Sequence, residues 1–362
     1  MTFVVWLHEY DPAQRPLLGG KNASLAELLS AGLPVPPGFA VTAGAYHTLR
    51  DHADLRREVG RLLAEMDLGD AAGLEQLSAA IRGRLEQVPM HDGVARAVRS
   101  AYEALCERCQ LEAVPVAVRS SATSEDLPDA SFAGEHDTYL WVRGGADVLR
   151  QVTRCWSSLF TARAIAYRRE MGHDHDVLSM SVGVQKMVHP RASGVAFTLN
   201  PSDGDRSQVA VESAWGFGEG VVSGEVTPDS FLVDKVLGTI ARRTVSDKAF
   251  EYRLTDGDTV GRVAVEEARR TAPSLTDEEV CAVARLARRA EKHYGCAQDV
   301  EWAVDRDLPA GDNVILLQAR PETVWSRREP TPVAVPGTDF MSSIVSTLLS
   351  PLHARPTQER PP

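Results

Sequence analysis

Apolar residues recur along the chain at two spacings, and these predict a mixture of helices and strands. Apolar positions three or four residues apart predict helices that begin at Asn22, fill 43–110 and 145–171, and run from Thr276 to about Tyr294. Short apolar or β-branched runs predict strands at 3–7, 39–41, 114–118, 139–141, 180–188, 193–199, 208–212, 230–233, 240–245, 299–304 and 314–318. Residues 327–362 are Pro-rich and lose this pattern, so we expect a mobile tail there.

Composition limits the possible classes of function. The 362 residues suffice for two or three domains of ordinary size, and a net charge of −11 argues against a nucleic-acid partner. Any phosphate site must therefore be a local group of basic residues. Five scattered cysteines and the lack of a secretory signature predict reduced thiols and a cytoplasmic protein. No stretch approaches the roughly 18 apolar residues of a membrane-spanning helix, so no membrane partner is expected.

The stretch from Val116 to Trp141 has the residue types of a phosphate-binding loop. A β-branched strand delivers Arg119, four hydroxyl residues follow within five positions, and the run Ala130–Gly134 precedes a second strand. A guanidinium supplies charge and a planar set of donors, hydroxyl and backbone N–H groups add donors, and a bare glycine lets the backbone approach a ligand. The alternative is a serine-rich connector.

Lys21 opens a predicted helix directly after Gly19 and Gly20. Free N–H groups and the helix dipole favour anions at such a position, and the lysine adds a positive charge. The segment is not a Walker A loop, because Asn22 follows the lysine and Arg15 stands where the first glycine should be. Lys21 is thus either a phosphate ligand or an exposed lysine at a helix start.

The last two predicted strands bring oxygen ligands and an arginine together. Gln318 and Arg320 share one face of a strand because side chains alternate, and antiparallel pairing would place Glu301 beside Gln318. A carboxylate and an amide oxygen suit Mg²⁺ that bridges phosphates, and the guanidinium would compensate the remaining charge. A salt bridge at the end of a sheet is the alternative.

A glycine-rich segment follows the strand predicted at 208–212. Gly216-x-Gly218-x-Gly220 differs from a dinucleotide-binding fingerprint, because Val221 stands at the final glycine position and no long helix is predicted after it. A Rossmann fold is therefore rejected. A glycine-rich loop near some ligand stays possible.

Taken in order, the motifs resemble one known family. They are GGKNASL at 19–25, LPVPPGF at 33–39, VRSSATSEDLPDASFAG at 118–134, VQKMV at 184–188, SGVAFTLNP at 193–201, ESAWGFGEGVVSGEVTPD at 212–229, DVEWAVD at 299–305 and LLQARPET at 316–323. Over about residues 1–326 the chain resembles the ATP-binding domain of phosphoenolpyruvate synthase, pyruvate phosphate dikinase and the related rifampin phosphotransferases. The resemblance implies an α+β ATP-grasp fold with two lobes that close over ATP. We expect these lobes at 1–190 and 191–326, followed by the tail at 327–362.

The resemblance also assigns roles to individual residues. Lys21, Arg119 and Arg320 match the catalytic, phosphate-binding positions, and Glu301 and Gln318 match the Mg²⁺ ligands. The complete set implied to bind ATP and its metal is Lys21, Arg119, Gly134, Thr138, Gln185, Glu301, Gln318 and Arg320, with Gln185 at the adenosine end. Glu212 and Glu225 lie in matching segments. Glu135 departs from the family, which usually has Gln there, and an added carboxylate beside phosphates is unfavourable unless a metal or an arginine compensates its charge.

The family's phosphohistidine segment, T-S-H-x-A after a glycine, does not occur in the sequence. None of the 10 histidines is followed by that pattern, and no segment resembles the barrel that binds phosphoenolpyruvate. We therefore expect an ATP-binding component that transfers phosphate from ATP to a histidine on a separate subunit or domain, with AMP and phosphate as products. The alternatives are a non-catalytic nucleotide-binding module for regulation or assembly, and a fragment of a longer phosphotransferase.

Overall fold

The structure, a computed structural model, describes residues 2–65, 71–122, 137–170, 179–255 and 259–325. Its helices are α1 (Arg15–Ser30), α2 (Ala43–Arg50), α3 (Ala53–Glu65), α4 (Ala71–Gln87), α5 (Asp92–Cys109), α6 (Gly145–Ser157), α7 (Ala162–Glu170), α8 (Glu219–Val222), α9 (Glu267–Arg270) and α10 (Asp277–Tyr294). Its strands are β1 (Val4–Trp6), β2 (Gly38–Val41), β3 (Val116–Ala122), β4 (Thr138–Val142), β5 (Met180–Lys186), β6 (Pro190–Phe197), β7 (Gln208–Trp215), β8 (Asp229–Asp234), β9 (Ile240–Thr244), β10 (Phe250–Thr255), β11 (Thr259–Ala264), β12 (Gln298–Asp305) and β13 (Val314–Pro321). The α+β fold class predicted from the sequence is confirmed.

The first sheet positions Arg119. Its five strands lie in the order β1-β2-β5-β3-β4, and each is antiparallel to its neighbours. One face of this sheet is apolar: Val116 and Val118 of β3 and Val182 and Val184 of β5 share a core with residues of helices α2 to α6. Because side chains alternate along a strand, Arg119 projects from the opposite face.

The second sheet positions the residues of the last two strands. Its six strands lie in the order β13-β12-β6-β7-β8-β9, all antiparallel, while β10 and β11 form a separate hairpin. The apolar face carries Val211, Val300 and Trp302, which are buried in a second core with Val283 and Ala287 of α10. Alternation therefore directs Glu301 of β12 away from α10.

Helix α1 contacts both sheets and carries Lys21. Its apolar residues Leu25 and Leu28 are buried in the second core. On another side of the helix, Asn22 Nδ2 donates a hydrogen bond to Ser181 Oγ of β5 at 2.9 Å. Helix α1 thus links the first sheet to the core beneath the second, and it holds Lys21 at this junction.

Gly19 interrupts α1 where the helix passes β3. The helix begins at Arg15, earlier than the predicted start at Asn22, and it is kinked at Gly19, where φ is 67°. A Cβ atom on Gly19 would lie 2.4 Å from Ser121 O and 2.6 Å from Ser121 Oγ. Only glycine fits both the left-handed backbone and this close approach.

Replacing Gly19 with alanine is expected to lower the free energy of unfolding by about 3 kcal/mol, because left-handed strain adds to the collision with Ser121. Gly32→Ala is the matched control, since φ there is 74° but the nearest atom to a new Cβ is 4.0 Å away. Strain alone should cost the control about 1–2 kcal/mol. Urea unfolding measures both values, and equal losses would show that the approach to Ser121 is not tight.

The stretch predicted as one helix over 145–171 forms, as far as residue 170, two helices, α6 and α7, with a short 3₁₀ turn between them. Ser157 Oγ and Ser158 Oγ donate to carbonyls of the preceding turn at 2.9 and 2.7 Å. Thr161 Oγ1 accepts from a backbone N–H in the first turn of α7 at 3.2 Å. The prediction of one helix is wrong because these hydroxyl bonds compete with helix continuation, which apolar spacing does not report.

Residues up to Glu322 form one compact unit. Within it, the first sheet ends in sequence at Lys186 and the second begins at Pro190. The predicted lobes at 1–190 and 191–326 remain a proposal. A boundary near 190 would coincide with the short connection between the two sheets. The tail predicted at 327–362 lies outside the described residues. None of the described helices is long and apolar enough to cross a membrane.

Candidate functional site

A row of side chains crosses the second sheet on the face opposite α10. Glu301 of β12 pairs directly with Gln318 of β13, and the row continues with Val195 of β6 and Glu212 of β7. Directly paired residues share one face, with Cβ atoms roughly 5 Å apart. The structure thus brings Glu301 and Gln318 together, as the antiparallel pairing predicted, and places Glu212 two strands away.

Arg119 reaches this row from the first sheet. Its Nη2 donates to Gln318 Oε1 at 2.9 Å and to Glu301 Oε2 at 3.4 Å, and its Nη1 donates to Leu317 O at 3.3 Å. The side chains of Arg119 and Glu301 are each only 23% exposed. Oxygens from two strands therefore converge on one positively charged group that is partly shielded from water.

The oxygens of Glu301 and Gln318 fit a divalent cation. Mg²⁺ takes oxygen ligands, and it is commonly held by one or two carboxylates while phosphates and water complete its shell. The contact of both oxygens with Arg119 Nη2 shows that the space between them accommodates a positive charge. Within the described ranges, no group of three or more His, Cys, Asp or Glu side chains is arranged to hold a metal. A metal here would thus depend on ligands from a bound phosphate.

Arg320 lies on the same face of β13 but is paired with Asp299. Its Nε and Nη2 both lie 2.8 Å from Asp299 Oδ2, and 48% of the Arg320 side chain is exposed. Burial raises the pKa of Asp299, Arg320 counteracts this, and the neighbouring Glu301 raises the pKa further. The salt bridge considered as the alternative for this end of the sheet is therefore present, although Asp299 and not Glu301 is its acidic partner.

Lys21 lies beside the end of β3. Gly19 packs against Ser121, and Asn22 N donates to Ser121 Oγ at 3.3 Å. Lys21, between these two residues, is half-buried next to the strand that carries Arg119 two positions before Ser121. Two basic residues from different elements therefore come to the same end of β3.

The other predicted nucleotide contacts have different environments. Thr138 of β4 is exposed and pairs directly with Arg119 of β3. Gln185 of β5 is buried, and its Nε2 donates to Pro36 O at 3.1 Å, so the extended connector before β2 fixes its orientation. Gly134 lies outside the described residues.

Two further acidic residues lie on this face: Glu212, which the sequence placed in a segment matching the family, and Asp299, which received no role from the sequence. Glu212 is half-buried; burial raises its pKa, and the charge of Asp299 acts in the same direction. Asp299 Oδ1 is buried and accepts no hydrogen bond from the described residues. Alternation within the strand QDVEWAVD would have placed Asp299 on the face of Glu301, so its position was predictable.

Comparison with known proteins identifies a family model that matches this chain and relatives whose names agree with it. A family model described as the pyruvate phosphate dikinase AMP/ATP-binding domain matches residues 15–337. A probable phosphoenolpyruvate synthase of Staphylothermus marinus is 44% identical over 349 residues, which cover 90% of this chain and 42% of that protein. A second, of Methanothermobacter thermautotrophicus, is 42% identical over 323 residues, or 89% of this chain and 46% of that protein.

A phosphoenolpyruvate synthase of Aeropyrum pernix is similar to the same extent. It is 41% identical over 361 residues, which cover 92% of this chain and 44% of that protein. The chain thus spans less than half the length of these curated relatives. Among solved structures, D-cycloserine synthetase DcsG aligns with a TM-score of 0.29 and 14% identity over 94% of this chain and 72% of that one.

Proposed function

The chain belongs to the pyruvate phosphate dikinase AMP/ATP-binding domain family, and from this premise we propose that it binds Mg²⁺-ATP between its two sheets. Its fold is α+β and ATP-grasp-like, as predicted. With one water molecule consumed, bound ATP would phosphorylate a histidine on a partner subunit or domain and yield AMP and inorganic phosphate: one phosphoanhydride bond is broken by transfer and the other by hydrolysis. Because the curated relatives are named phosphoenolpyruvate synthases, the chain would be the ATP-binding component of a phosphotransferase of that type.

The observation that carries this proposal is the contact of Arg119 with Glu301 and Gln318. It joins an arginine of one sheet to two oxygen ligands of the other. A polyphosphate requires both groups: guanidinium donors for its own oxygens, and oxygen ligands for the cation that accompanies it. On nucleotide binding, Arg119 would exchange a carboxylate partner for a phosphate and release the two oxygens.

The residues of the chain would act through charge and orientation. Phosphoryl transfer requires aligned oxygens and compensation of negative charge, and little covalent chemistry by the protein. Lys21 and Arg119 would bind phosphate oxygens at the end of β3, and Arg320 would do so from β13. Glu301 and Gln318 would hold Mg²⁺, which when bound neutralises part of the phosphate charge.

Incubation with Mg²⁺-ATP and a histidine-bearing candidate subunit tests the proposed function. We expect ATP binding by the chain alone, and both AMP and acid-labile phosphohistidine once the candidate subunit is added. A candidate whose acceptor histidine is replaced by alanine is the control and should form neither product. ATP binding without either product would favour the non-catalytic nucleotide-binding module, and failure to bind ATP would contradict the assigned site.

A further inference from the structure

Trp141 has a backbone conformation that is unusual for a tryptophan in a strand. Its φ is 58°, in the left-handed region. Among the described residues, the other non-glycine residue with positive φ is Gln110, which ends α5 as a left-handed cap, an ordinary place for this conformation. A bulky residue in the left-handed region is strained, and such strain persists only where surrounding contacts maintain it.

The strain coincides with an irregularity in the pairing of β3 and β4. Val116 pairs with Val142 and Val118 pairs with Tyr139, so Leu140 and Trp141 together oppose the single residue between the two valines. Two residues opposite one define a β-bulge, and glycine is the usual residue at a left-handed bulge position. Local backbone preference therefore disfavours tryptophan here, and an explanation must come from contacts of the ring.

The ring of Trp141 contacts residues outside its own sheet. The ring of Phe217 lies edge-on to it, with centroids 6.1 Å apart and an interplanar angle of 86°. The imidazole of His189, in the connection between β5 and β6, lies 5.8 Å away. Arg143 places its guanidinium 5.7 Å from the ring centroid. The indole thus extends from the edge of the first sheet to the segment that follows β7 of the second.

The backbone of Gly216–Phe217 is fixed by hydrogen bonds to neighbouring residues of β6 and β10. Gly216 N donates to Arg191 O at 3.0 Å, and Phe217 N donates to Tyr252 O of β10 at 2.8 Å. Ser193 Oγ donates to Gly216 O at 2.5 Å. A Cβ on Gly216 would lie 2.1 Å from Tyr252 O, so this segment has little freedom to shift. The ring of Trp141 therefore packs against a segment whose backbone is held in place.

A polar contact and a ring contact thus join the two sides of the molecule among the described residues. One is the polar contact of Arg119 with Glu301 and Gln318, which must rearrange when phosphate and metal bind in the proposed function. The other is the ring contact of Trp141 with Phe217, which involves none of the assigned ligands and can persist. Trp141 also lies three residues after Thr138, the direct partner of Arg119.

We propose that Trp141 is a positioning residue that sets the separation of the two sheets across the nucleotide cleft. Its ring holds β4 against Gly216–Phe217, and the contact compensates the strained backbone. This inference rests on the proposed function, because the cleft it shapes is the proposed ATP site. Trp141 would act through the placement of β4, and hence of Thr138 and Arg119, without touching the reacting phosphates.

Three variants separate the ring from the backbone strain. Trp141→Phe keeps an aromatic ring and the strain, whereas Trp141→Asn removes the ring and suits a left-handed backbone. Phe217→Leu removes the aromatic partner from the opposite side and leaves position 141 unchanged. The probes are amide hydrogen exchange at 216–222 and 137–142 in the ligand-free chain, and the Kd for Mg²⁺-ATP.

We expect Trp141→Asn and Phe217→Leu to raise amide exchange at 216–222 and the Kd for Mg²⁺-ATP. Each should rise by up to about tenfold, which corresponds to the free energy of one aromatic pair. Trp141→Phe should stay within about twofold of wild type in both measurements, since a ring remains. If the ring contact did not position the cleft, Trp141→Asn should keep wild-type amide exchange and Kd, because asparagine relieves the backbone strain.

Wild-type exchange and affinity in Trp141→Asn would overturn the inference, and if that variant does not fold, the same result in Phe217→Leu would do so. Failure of the wild-type chain to bind Mg²⁺-ATP would instead refute the proposed function. Amide exchange in the ligand-free chain shows whether the ring of Trp141 holds residues 216–222, and this result does not depend on ATP binding.

Discussion

Arg119→Ala is expected to slow AMP formation by about 10²–10³-fold, the usual cost of removing one donor that stabilises developing charge. In the structure this side chain bonds to Gln318 Oε1 and Glu301 Oε2, and no described residue of β3 other than Arg119 supplies a guanidinium. Alanine would leave the phosphates without that charge and the two oxygens without their cation. Initial rates of AMP formation at saturating ATP, with a competent histidine-bearing partner, measure the effect.

Arg119→Lys and Arg84→Ala are the matched controls for this prediction. Lysine keeps the charge but not the planar pair of donors, so Arg119→Lys should recover only part of the rate. Arg84 forms a comparable ion pair with Glu58 at 2.7 Å on α4, with 49% of its side chain exposed, and its loss should leave AMP formation unchanged. Full turnover in Arg119→Ala would show that Arg119 is not a phosphate ligand.

Lys248→Ala is expected to lower the free energy of unfolding by about 3–5 kcal/mol, because it leaves a carboxylate buried without its counter-charge. Lys248 Nζ lies 2.6 Å from Asp229 Oδ1, and both side chains are 0% exposed. Asp229 Oδ2 also accepts from Ser274 N and Oγ at 2.8 and 2.7 Å. The pair therefore joins the start of β8 to the segments before β10 and α10. Denaturant unfolding measures the loss.

The double variant Asp229→Asn/Lys248→Met is the control for the buried pair. Replacing both charges removes the uncompensated carboxylate, so the double variant should be more stable than Lys248→Ala. A surface pair such as Arg84–Glu58 should contribute less than about 1 kcal/mol. A loss from Lys248→Ala no greater than that from Arg84→Ala would mean that water reaches Asp229 when the lysine is removed.

The pairing of Glu301 with Gln318 was predictable from the sequence because it depends on local rules. Alternation determines which residues of a strand share a face, and a short connection makes two neighbouring strands antiparallel. The same rules would have found Asp299. The part of α1 from Asn22 onward followed from apolar spacing, and Gly32 was correctly expected just beyond its end, where φ is 74°.

Features that depend on distant contacts were not predictable. The bonds of Arg119 to Glu301 and Gln318 connect residues separated by 182 and 199 positions, and no local pattern fixes how closely the two sheets approach. The left-handed backbone of Trp141 contradicts local preference, and its ring contacts Phe217 in the segment that follows β7. The role of Gly134 stays a prediction, because that residue lies outside the described part of the chain.

Calorimetric titration of ATP into the wild-type chain and into Glu301→Gln, each with and without Mg²⁺, tests the assigned cleft most directly. In the wild type, Mg²⁺ should lower the Kd for ATP by at least about tenfold, as expected when a ligand pair holds the metal. In Glu301→Gln the effect of Mg²⁺ should fall below about twofold, while affinity for metal-free ATP is retained. The same effect of Mg²⁺ in both proteins would contradict the placement of the metal between Glu301 and Gln318.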